Sequence, residues 1–224
     1  MAARVAPAQV RATHQSLHHL VASADWSDEA VLSVVRQQVL PAMERHGAIR
    51  AWIIDDTGFP KKGTHSVGVA RQYCGQLGKQ DNCQVAVSLS VANDHASLPI
   101  SYRLYLPHEW ADDPVRRARA GVPDDVVFQT KAQIALDQLR AALAAGIEAE
   151  VALADAGYGT DTDFRDGITA AGLPYVVGIQ SSTSLWPPGA EPLPPKPWSG
   201  RGRPPSAITT TGPAMDCGGG PQSP

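Results

Sequence analysis

Two different spacings of apolar residues occur along the chain, and each predicts one kind of secondary structure. Over residues 27–46 the apolar residues recur every three or four positions, which is typical of a helix with one buried face. Ser27 is able to cap the start of this helix. A second helix is predicted over residues 131–145, where Thr130 and Gln133 form a capping box. The apolar stripe of the first helix consists of Val31, Val34, Val35 and Val39.

Short β-rich runs bounded by turn-forming residues fill most of the remaining core. Six runs are predicted to be strands: residues 49–55, 66–75, 83–93, 98–107, 149–155 and 174–180. The first four follow one another with short turns between them, which predicts an antiparallel arrangement. The fifth comes after the second helix, so we expect it to join the sheet parallel to the first strand. The order predicts an α/β fold with a mixed sheet flanked by helices.

The composition changes near residue 180 and divides the chain into three predicted regions. Residues 1–48 form an N-terminal helical segment, and residues 49–180 hold the strands and the core. Residues 181–224 are a Pro- and Gly-rich linker followed by a disordered tail. Within this last region, residues 206–224 show no apolar period, which predicts a frameshifted or otherwise aberrant end.

Charge and hydropathy narrow the classes of function. The chain has 224 residues and a net charge of −3, so it has no overall positive field for nucleic acid, and DNA binding must come from local patches. No run approaches the roughly 20 apolar residues of a membrane span. The N-terminus lacks the apolar core of a signal peptide. We therefore expect a cytoplasmic protein with no membrane partner.

Two of the predicted strands end in an aspartate, which points to metal chemistry. Asp55 follows the apolar run WII, and Asp155 follows the run VALA. On neighbouring strands both carboxylates would lie at one edge of the sheet, where their mutual repulsion favours a divalent cation. A small set of oxygen ligands, with water completing the shell, suits Mg²⁺ or Mn²⁺. The alternative for each is an ordinary acid that caps a turn. Asp56 points to the opposite strand face, so one of the two adjacent acids is expected to be solvated or to support the other.

Several motifs occur in an order that resembles a known protein family. The stretches IIDDTGFPKKG, SVGVARQYCGQLGKQDNCQVAVSLS, YRLYLPHEW and LADAGYG are similar to the catalytic domain of bacterial insertion-sequence transposases. The resemblance runs from about residue 10 to about residue 205. It implies an RNase H-like fold, a DDE triad of two aspartates and a glutamate, and dependence on Mg²⁺ or Mn²⁺. It also implies DNA as the partner, at transposon ends and targets, and assembly as a homo-oligomer on that DNA.

The resemblance assigns roles to particular residues. Asp55 takes the place of the first triad acid and Asp155 that of the second, both as metal ligands. Lys61, Lys62 and Arg71 follow the first motif and are implied to contact the DNA backbone. For these three cations the alternative is a solvated turn and an ordinary arginine on a strand face.

A short arginine motif near the end adds another candidate contact with DNA. Arg201 and Arg203 lie in GRGRPP, an extended segment of the kind that places arginine in a narrow minor groove. The alternative interpretation of the same residues is a proline-rich linker.

The third acid of the family is not recognisable in the chain. The family carries it as a glutamate on a late helix, within a Tyr-Arg-Glu-Lys signature. The acids that follow Asp155 are Asp161, Asp163, Asp166, Glu191 and Asp216, and none lies on a long amphipathic helix. We therefore expect a truncated transposase that does not cleave DNA by itself. The alternative is a non-catalytic remnant that binds DNA or a full-length partner.

Overall fold

The computed structural model describes the core of the chain and short pieces of its C-terminal region. The described residues are 9–25, 27–185, 194–195, 197–204 and 215–216. Of the end predicted to be aberrant, residues 206–224, all but Met215 and Asp216 lie outside this part. Those two residues pair with Ser184 and Leu185 in a small antiparallel sheet that the sequence did not predict.

In the described part of the chain two helices come first, followed by four strands, three helices, and then a region with both kinds of element. The helices are α1 (Val10–Ala22), α2 (Asp28–Glu44), α3 (His108–Ala111), α4 (Pro114–Ala120), α5 (Lys131–Ala144), α6 (Ala156–Gly159) and α7 (Thr162–Ala170). The strands are β1 (Ala51–Pro60), β2 (Ala70–Cys74), β3 (Lys79–Ala92), β4 (Ser97–Leu104), β5 (Val151–Ala154), β6 (Tyr175–Val177), β7 (Ser184–Leu185) and β8 (Met215–Asp216). Among the helices described here, none combines the length and the apolar character that crossing a bilayer requires.

The predicted helix caps form as the sequence indicates. The Ser27 side chain accepts a hydrogen bond from the backbone N–H of Ala30 at the start of α2. At the start of α5, the Thr130 hydroxyl accepts from the backbone of Gln133, whose side chain accepts from the backbone of Thr130. Because these contacts are local in sequence, they form without help from the rest of the fold.

The six strands of the main sheet confirm the predicted mixed topology. Strand β1 is central, antiparallel to β3 on one side and parallel to β5 on the other. Strand β6 extends the parallel side. The 14-residue β3 carries β2 along its first part and β4 along the rest, both antiparallel. This mixed sheet flanked by helices is consistent with the RNase H-like fold that the resemblance implies.

The four antiparallel strands differ from a simple meander in one respect. Strand β1 pairs with β3 rather than with β2, and β2 begins at Ala70 instead of residue 66. The preceding residues form a turn, in which Gly68 has a φ of 75° and the N–H of Val69 donates to the carbonyl of Ser66. Glycine suits this left-handed conformation, which a side chain rarely adopts.

One face of the main sheet packs against helices and forms the main core. Trp52, Ile54 and Leu89 are fully buried on this face, together with Leu139 from α5 and Ile168 from α7. Helix α2 reaches the same core through Met43 near its C-terminal end.

Three of the four valines of the stripe predicted for α2 do not face this core, and Val35 is half-buried. Val31, Val34 and Val39 are 50%, 57% and 38% exposed. Helix α2 instead contacts β4, where the Arg36 side chain donates to the carbonyl of Ile100 at 3.1 Å. The rotation of the helix is therefore set by these tertiary contacts, which the helical period alone does not specify.

The opposite face of the sheet is more open and carries Asp55. Asp55 pairs with Ser88, which in turn pairs with Tyr102, so these three residues share that face. Val176 on the same face is 64% exposed, and Leu153 beside it is half-buried. A large ligand can therefore approach the middle of β1 from this side.

Candidate active site

Asp55 lies at the middle of β1, on the exposed face of the sheet. The alternation of the strand turns Trp52 and Ile54 into the core and leaves Asp55 exposed. Its Oδ1 accepts a hydrogen bond from the backbone N–H of Asp56 at 2.7 Å. The Ser88 hydroxyl donates to the Asp55 backbone carbonyl at 3.2 Å. Within the described residues Oδ2 of Asp55 accepts no hydrogen bond, so it is available to a ligand.

Asp155 directly follows β5 and caps the short helix α6. Its Oδ1 accepts hydrogen bonds from the backbone N–H groups of Gly157 at 2.8 Å and Tyr158 at 3.3 Å. This is the usual arrangement of an aspartate at a helix N-cap, and it fixes the carboxylate on the backbone. Oδ2 has no hydrogen-bond partner in the part of the chain that the structure describes.

The fold places Asp55 and Asp155 side by side. In the parallel pair β1–β5, Ile54 lies opposite Ala154. Asp55 directly follows Ile54 along the chain, and Asp155 directly follows Ala154. Neighbouring strands lie about 4.8 Å apart, so the two backbones are that close where the acids begin. The predicted juxtaposition is therefore present, while the role of the two acids as metal ligands stays a prediction.

Asp56 points to the helix-covered side and is held by two side chains. Its Oδ2 lies 2.5 Å from the Lys131 ammonium, and its Oδ1 accepts a hydrogen bond from the Tyr158 hydroxyl at 2.5 Å. The Asp56 and Lys131 side chains are 29% and 33% exposed. Both Asp56 oxygens already have partners, so Asp56 supports the site from the helix-covered side. Asp55 is the acid of the pair that has an oxygen available to a ligand.

Tyr158 is the group whose titration the surroundings change most clearly. Burial raises the pKa of Tyr158 far above its usual value of about 10, and the Asp56 carboxylate raises it further. The Asp155 and Asp55 carboxylates raise this pKa further, by smaller amounts. The hydroxyl therefore stays protonated and donates to Asp56 throughout the neutral range.

Tyr158→Phe is expected to lower the free energy of unfolding by about 1–3 kcal/mol at pH 7, because a hydrogen bond to a charged group is lost. A raised folded-state pKa contributes stability that is fully present below the unfolded value near 10 and is lost as pH rises above it. The gap between the wild type and Tyr158→Phe should therefore shrink above pH 10. Urea unfolding at several pH values measures the gap.

Tyr175→Phe provides the matched control for this substitution. The Tyr175 hydroxyl makes no hydrogen bond to the described residues, so its removal should change the free energy of unfolding at pH 7 little. A constant gap for Tyr158→Phe from pH 7 to pH 11 would contradict the proposed link between Tyr158 and Asp56.

Two glycines allow the turn after Asp155 to pack directly against the end of β6. A Cβ on Gly159 would lie 1.8 Å from the carbonyl oxygen of Gly178. A Cβ on Gly178 would lie 2.8 Å from the backbone nitrogen of Ala156. The N–H of Gly178 also donates to the carbonyl of Ala154 at 2.9 Å. The backbone that carries Asp155 is thus fixed by a contact that has no room for side chains.

The donor atoms at the site fit a divalent cation. Asp55 and Asp155 each present a free carboxylate oxygen, and such oxygens are the ligands that Mg²⁺ and Mn²⁺ prefer. A third protein ligand is not found, because the described residues contain no cluster of three His, Cys, Asp or Glu side chains arranged for a metal. Asp161 is the N-cap of α7, and Glu191 lies outside the described part.

The cations that the sequence singled out are all exposed. Lys61 and Lys62 are exposed in the loop after β1, and Arg71 is exposed on β2. Arg201 and Arg203 are exposed in the short described piece near the end of the chain. Their proposed contacts with DNA remain predictions.

Sequence reasoning missed the residues that support the acids. Lys131 was predicted only as the first residue of a helix, and its partner Asp56 is 75 positions away. Tyr158 and Gly159 belong to the GYG turn, and the aromatic residue three positions after the capping aspartate was the available signal. Nothing local indicated that Gly178 would contact that turn.

Comparison with known proteins agrees with this geometry. Residues 1–215 match the family described as DDE superfamily endonuclease. The chain is also similar to a probable transposase for insertion sequence element IS701 from Microchaete diplosiphon, with 31% identity over 169 residues. That match covers 75% of this chain and 41% of the relative, so the chain spans about two fifths of the relative's length. No solved structure matches the chain. Because the family match covers almost the whole sequence, the chain belongs to the DDE superfamily of endonucleases.

Proposed function

We propose that the chain belongs to a DDE-type transposase and supplies two acidic ligands, Asp55 and Asp155, to a site that cleaves and joins DNA strands with Mg²⁺ or Mn²⁺. The observation that carries the proposal is the parallel register of β1 and β5, which sets the two acids side by side. The proposal also rests on the superfamily, whose endonucleases generally use divalent metal ions.

Some residues of the site would bind the metal ion, and others position the acids that bind it. Asp55 and Asp155 would hold the ion through their free oxygens. A bound divalent ion supplies an activated water and stabilises the charge that develops on the phosphoryl oxygens. The N–H groups of Gly157 and Tyr158 fix one oxygen of Asp155, so that the other keeps a constant direction. Lys131 neutralises Asp56, which limits the repulsion beside Asp55.

DNA is the proposed substrate, and exposed cations are its proposed contacts. Lys61, Lys62 and Arg71 are exposed and able to meet phosphates, and Arg201 and Arg203 are proposed as a minor-groove arm. In this proposal the catalytic core occupies residues 49–180 and the protein assembles as a homo-oligomer on DNA.

A second candidate function is favoured by one observation. Two carboxylates are too few to hold two ions in near-octahedral geometry, and no third metal-ligating side chain joins them among the described residues. A non-catalytic protein that binds DNA, or a longer copy of itself, is consistent with this arrangement.

A nicking assay separates the two candidates. The purified 224-residue chain is incubated with supercoiled plasmid and Mn²⁺, beside the Asp55→Asn and Asp155→Asn variants. We expect no nicking by any of the three proteins, because the second ion has no anchor. Nicking by the wild type that disappears in both variants would show a complete site. Nicking that survives in both variants would overturn the assignment of Asp55 and Asp155.

A further inference from the structure

A cavity of about 450 Å³ lies between the loop after β1 and helix α4, at a distance from the two acids. Its wall combines cationic, polar and apolar side chains and contains one acid. The lining residues are Thr64, His65, Trp110, Asp113, Val115, Arg116, Arg119 and Ala120. The volume is in the range of small-ligand sites. The cavity is open on one side, however, and its wall carries the guanidinium groups of Arg116 and Arg119.

Arg116 is held in place on the floor of this cavity. Its guanidinium carbon lies 3.8 Å from the centre of the Trp110 ring, and its Nη2 donates to the carbonyl of Thr64 at 2.9 Å. Trp110 is itself buried, with its indole N–H donating to the carbonyl of Val69 at 2.8 Å. The arginine is thus preorganised, and the remaining guanidinium N–H groups are available to an anion.

The one acid in the wall is already engaged. Asp113 caps α4 and accepts a hydrogen bond from the backbone N–H of Arg116. Arg119 is exposed, and no carboxylate of the described residues lies within 4.0 Å of its nitrogens. Lys61 and Lys62 stand on the adjoining loop, which Asn82 fixes by donating to the carbonyls of Lys61 and Gly63, both at 2.8 Å. In a chain of net charge −3, this is a local concentration of positive charge, of which the Arg116 guanidinium is held in place.

We propose that this cavity binds a phosphate of the DNA backbone through Arg116 and Arg119. The proposal rests on the DNA-binding function proposed above and adds a contact away from the acids. Stacking of an unpaired base is not favoured, because the Trp110 ring is buried beneath Arg116 and offers no free face. Fixed guanidinium groups match phosphate geometry, since they present several N–H donors in one plane.

The position of the cavity fits a duplex that also reaches the acids. Five residues of β1 separate Asp55 from Pro60, which leads into the cavity loop. At about 3.3 Å per residue this is about 17 Å. The phosphates of one DNA strand are spaced about 3.4 Å along the axis, so Pro60 lies about five phosphates from Asp55, and the cavity loop begins there.

The test measures DNA binding, so it does not depend on catalysis. A fluorescein-labelled 30-base-pair duplex is titrated with protein without divalent metal, at salt concentrations from 50 to 200 mM. Each lost phosphate contact should reduce the slope of log K against log salt by about 1 and lower the affinity about 5- to 10-fold near 0.1 M salt. Arg119→Ala should show this loss, and the Arg116→Ala/Arg119→Ala double variant should lose about twice as much slope.

Two further variants make the result specific. Arg119→Lys keeps the charge and should restore most of the slope. Arg140→Ala removes an equally exposed arginine from α5, where Arg140 pairs with Asp137, and should leave the slope unchanged. Thermal unfolding of each variant identifies any loss of folding, which matters most for Arg116 because it packs on Trp110.

Each outcome has a definite meaning. If the wild type binds no duplex, the proposed DNA-binding function fails, and the cavity proposal fails with it. If the wild type binds but Arg119→Ala matches it, the cavity proposal alone is overturned. Equal losses for Arg119→Ala and Arg140→Ala would also overturn it, because binding would then depend on overall charge and not on this cavity.

Discussion

Asparagine at position 55 or at position 155 is expected to remove measurable Mn²⁺ binding by the purified protein. Asp55 and Asp155 present the two free carboxylate oxygens of the site. Either substitution leaves one carboxylate ligand beside one neutral amide. Substitution of a residue that only hydrogen-bonds a metal ligand typically lowers metal affinity about 10- to 100-fold. Loss of a ligand itself should therefore lower the Mn²⁺ affinity at least about tenfold. The free Mn²⁺ signal in electron paramagnetic resonance measures the binding directly. Wild-type binding itself should be weak, because water supplies most of the shell.

Asp161→Asn is the matched control. Asp155 and Asp161 both cap helices through backbone N–H groups, and asparagine caps a helix about as well as aspartate. Both substitutions should therefore leave stability nearly unchanged, while only Asp155→Asn affects the metal. If Asp161→Asn weakens Mn²⁺ binding equally, the ion is attracted by general negative charge and the assigned site is wrong.

Gly159→Ala is expected to destabilise the protein by more than about 3 kcal/mol, because the new methyl group would overlap the Gly178 carbonyl oxygen at 1.8 Å. That oxygen belongs to backbone next to β6, so the overlap cannot be relieved by a rotation of a side chain. The turn that holds Asp155 must move away from the sheet, and Mn²⁺ binding should fall with stability. Urea unfolding at pH 7 gives the magnitude.

Gly63→Ala serves as the control for this second prediction. A Cβ on Gly63 meets no atom within 4 Å, so the change in stability should stay within about 0.5 kcal/mol. A Gly159→Ala variant as stable as Gly63→Ala would show that the close contact between the Asp155 turn and β6 is not present in solution.

The order and type of the main elements were predictable because their signals are local. The capping residues Ser27 and Thr130 mark the starts of α2 and α5, and the alternation of β1 turns Trp52 inward. The placement of Asp55 and Asp155 followed from the same reasoning, since a strand after a crossover helix joins the sheet in parallel. Strand β2 was predicted to begin four residues too early, because the turn at Gly68 interrupts a run with strong β propensity.

Contacts between distant parts of the chain were not predictable in this way. The exposed valines of α2 show that a helical period identifies a stripe but does not decide which side meets the sheet. The cavity beside α4 likewise arises where a loop after β1 meets residues about 50 positions later, as in the bond from Arg116 to Thr64.

The sequence by itself determined the mixed sheet and the presence of an acid after two apolar runs, although β1 does not end at Asp55 as predicted but continues to Pro60. These features were predictable because the hydrophobic period and helix capping each involve only a few neighbouring residues. The strand order then follows from the order of these local elements along the chain. Only the tertiary structure decided that Asp56 is engaged by Lys131 and Tyr158, which lie 75 and 102 positions away, and that Gly159 contacts Gly178. These contacts depend on packing distances that the whole fold sets. The cost of burying a charged group, and the need for a residue without a Cβ, depend on which backbone and side chains lie beside it.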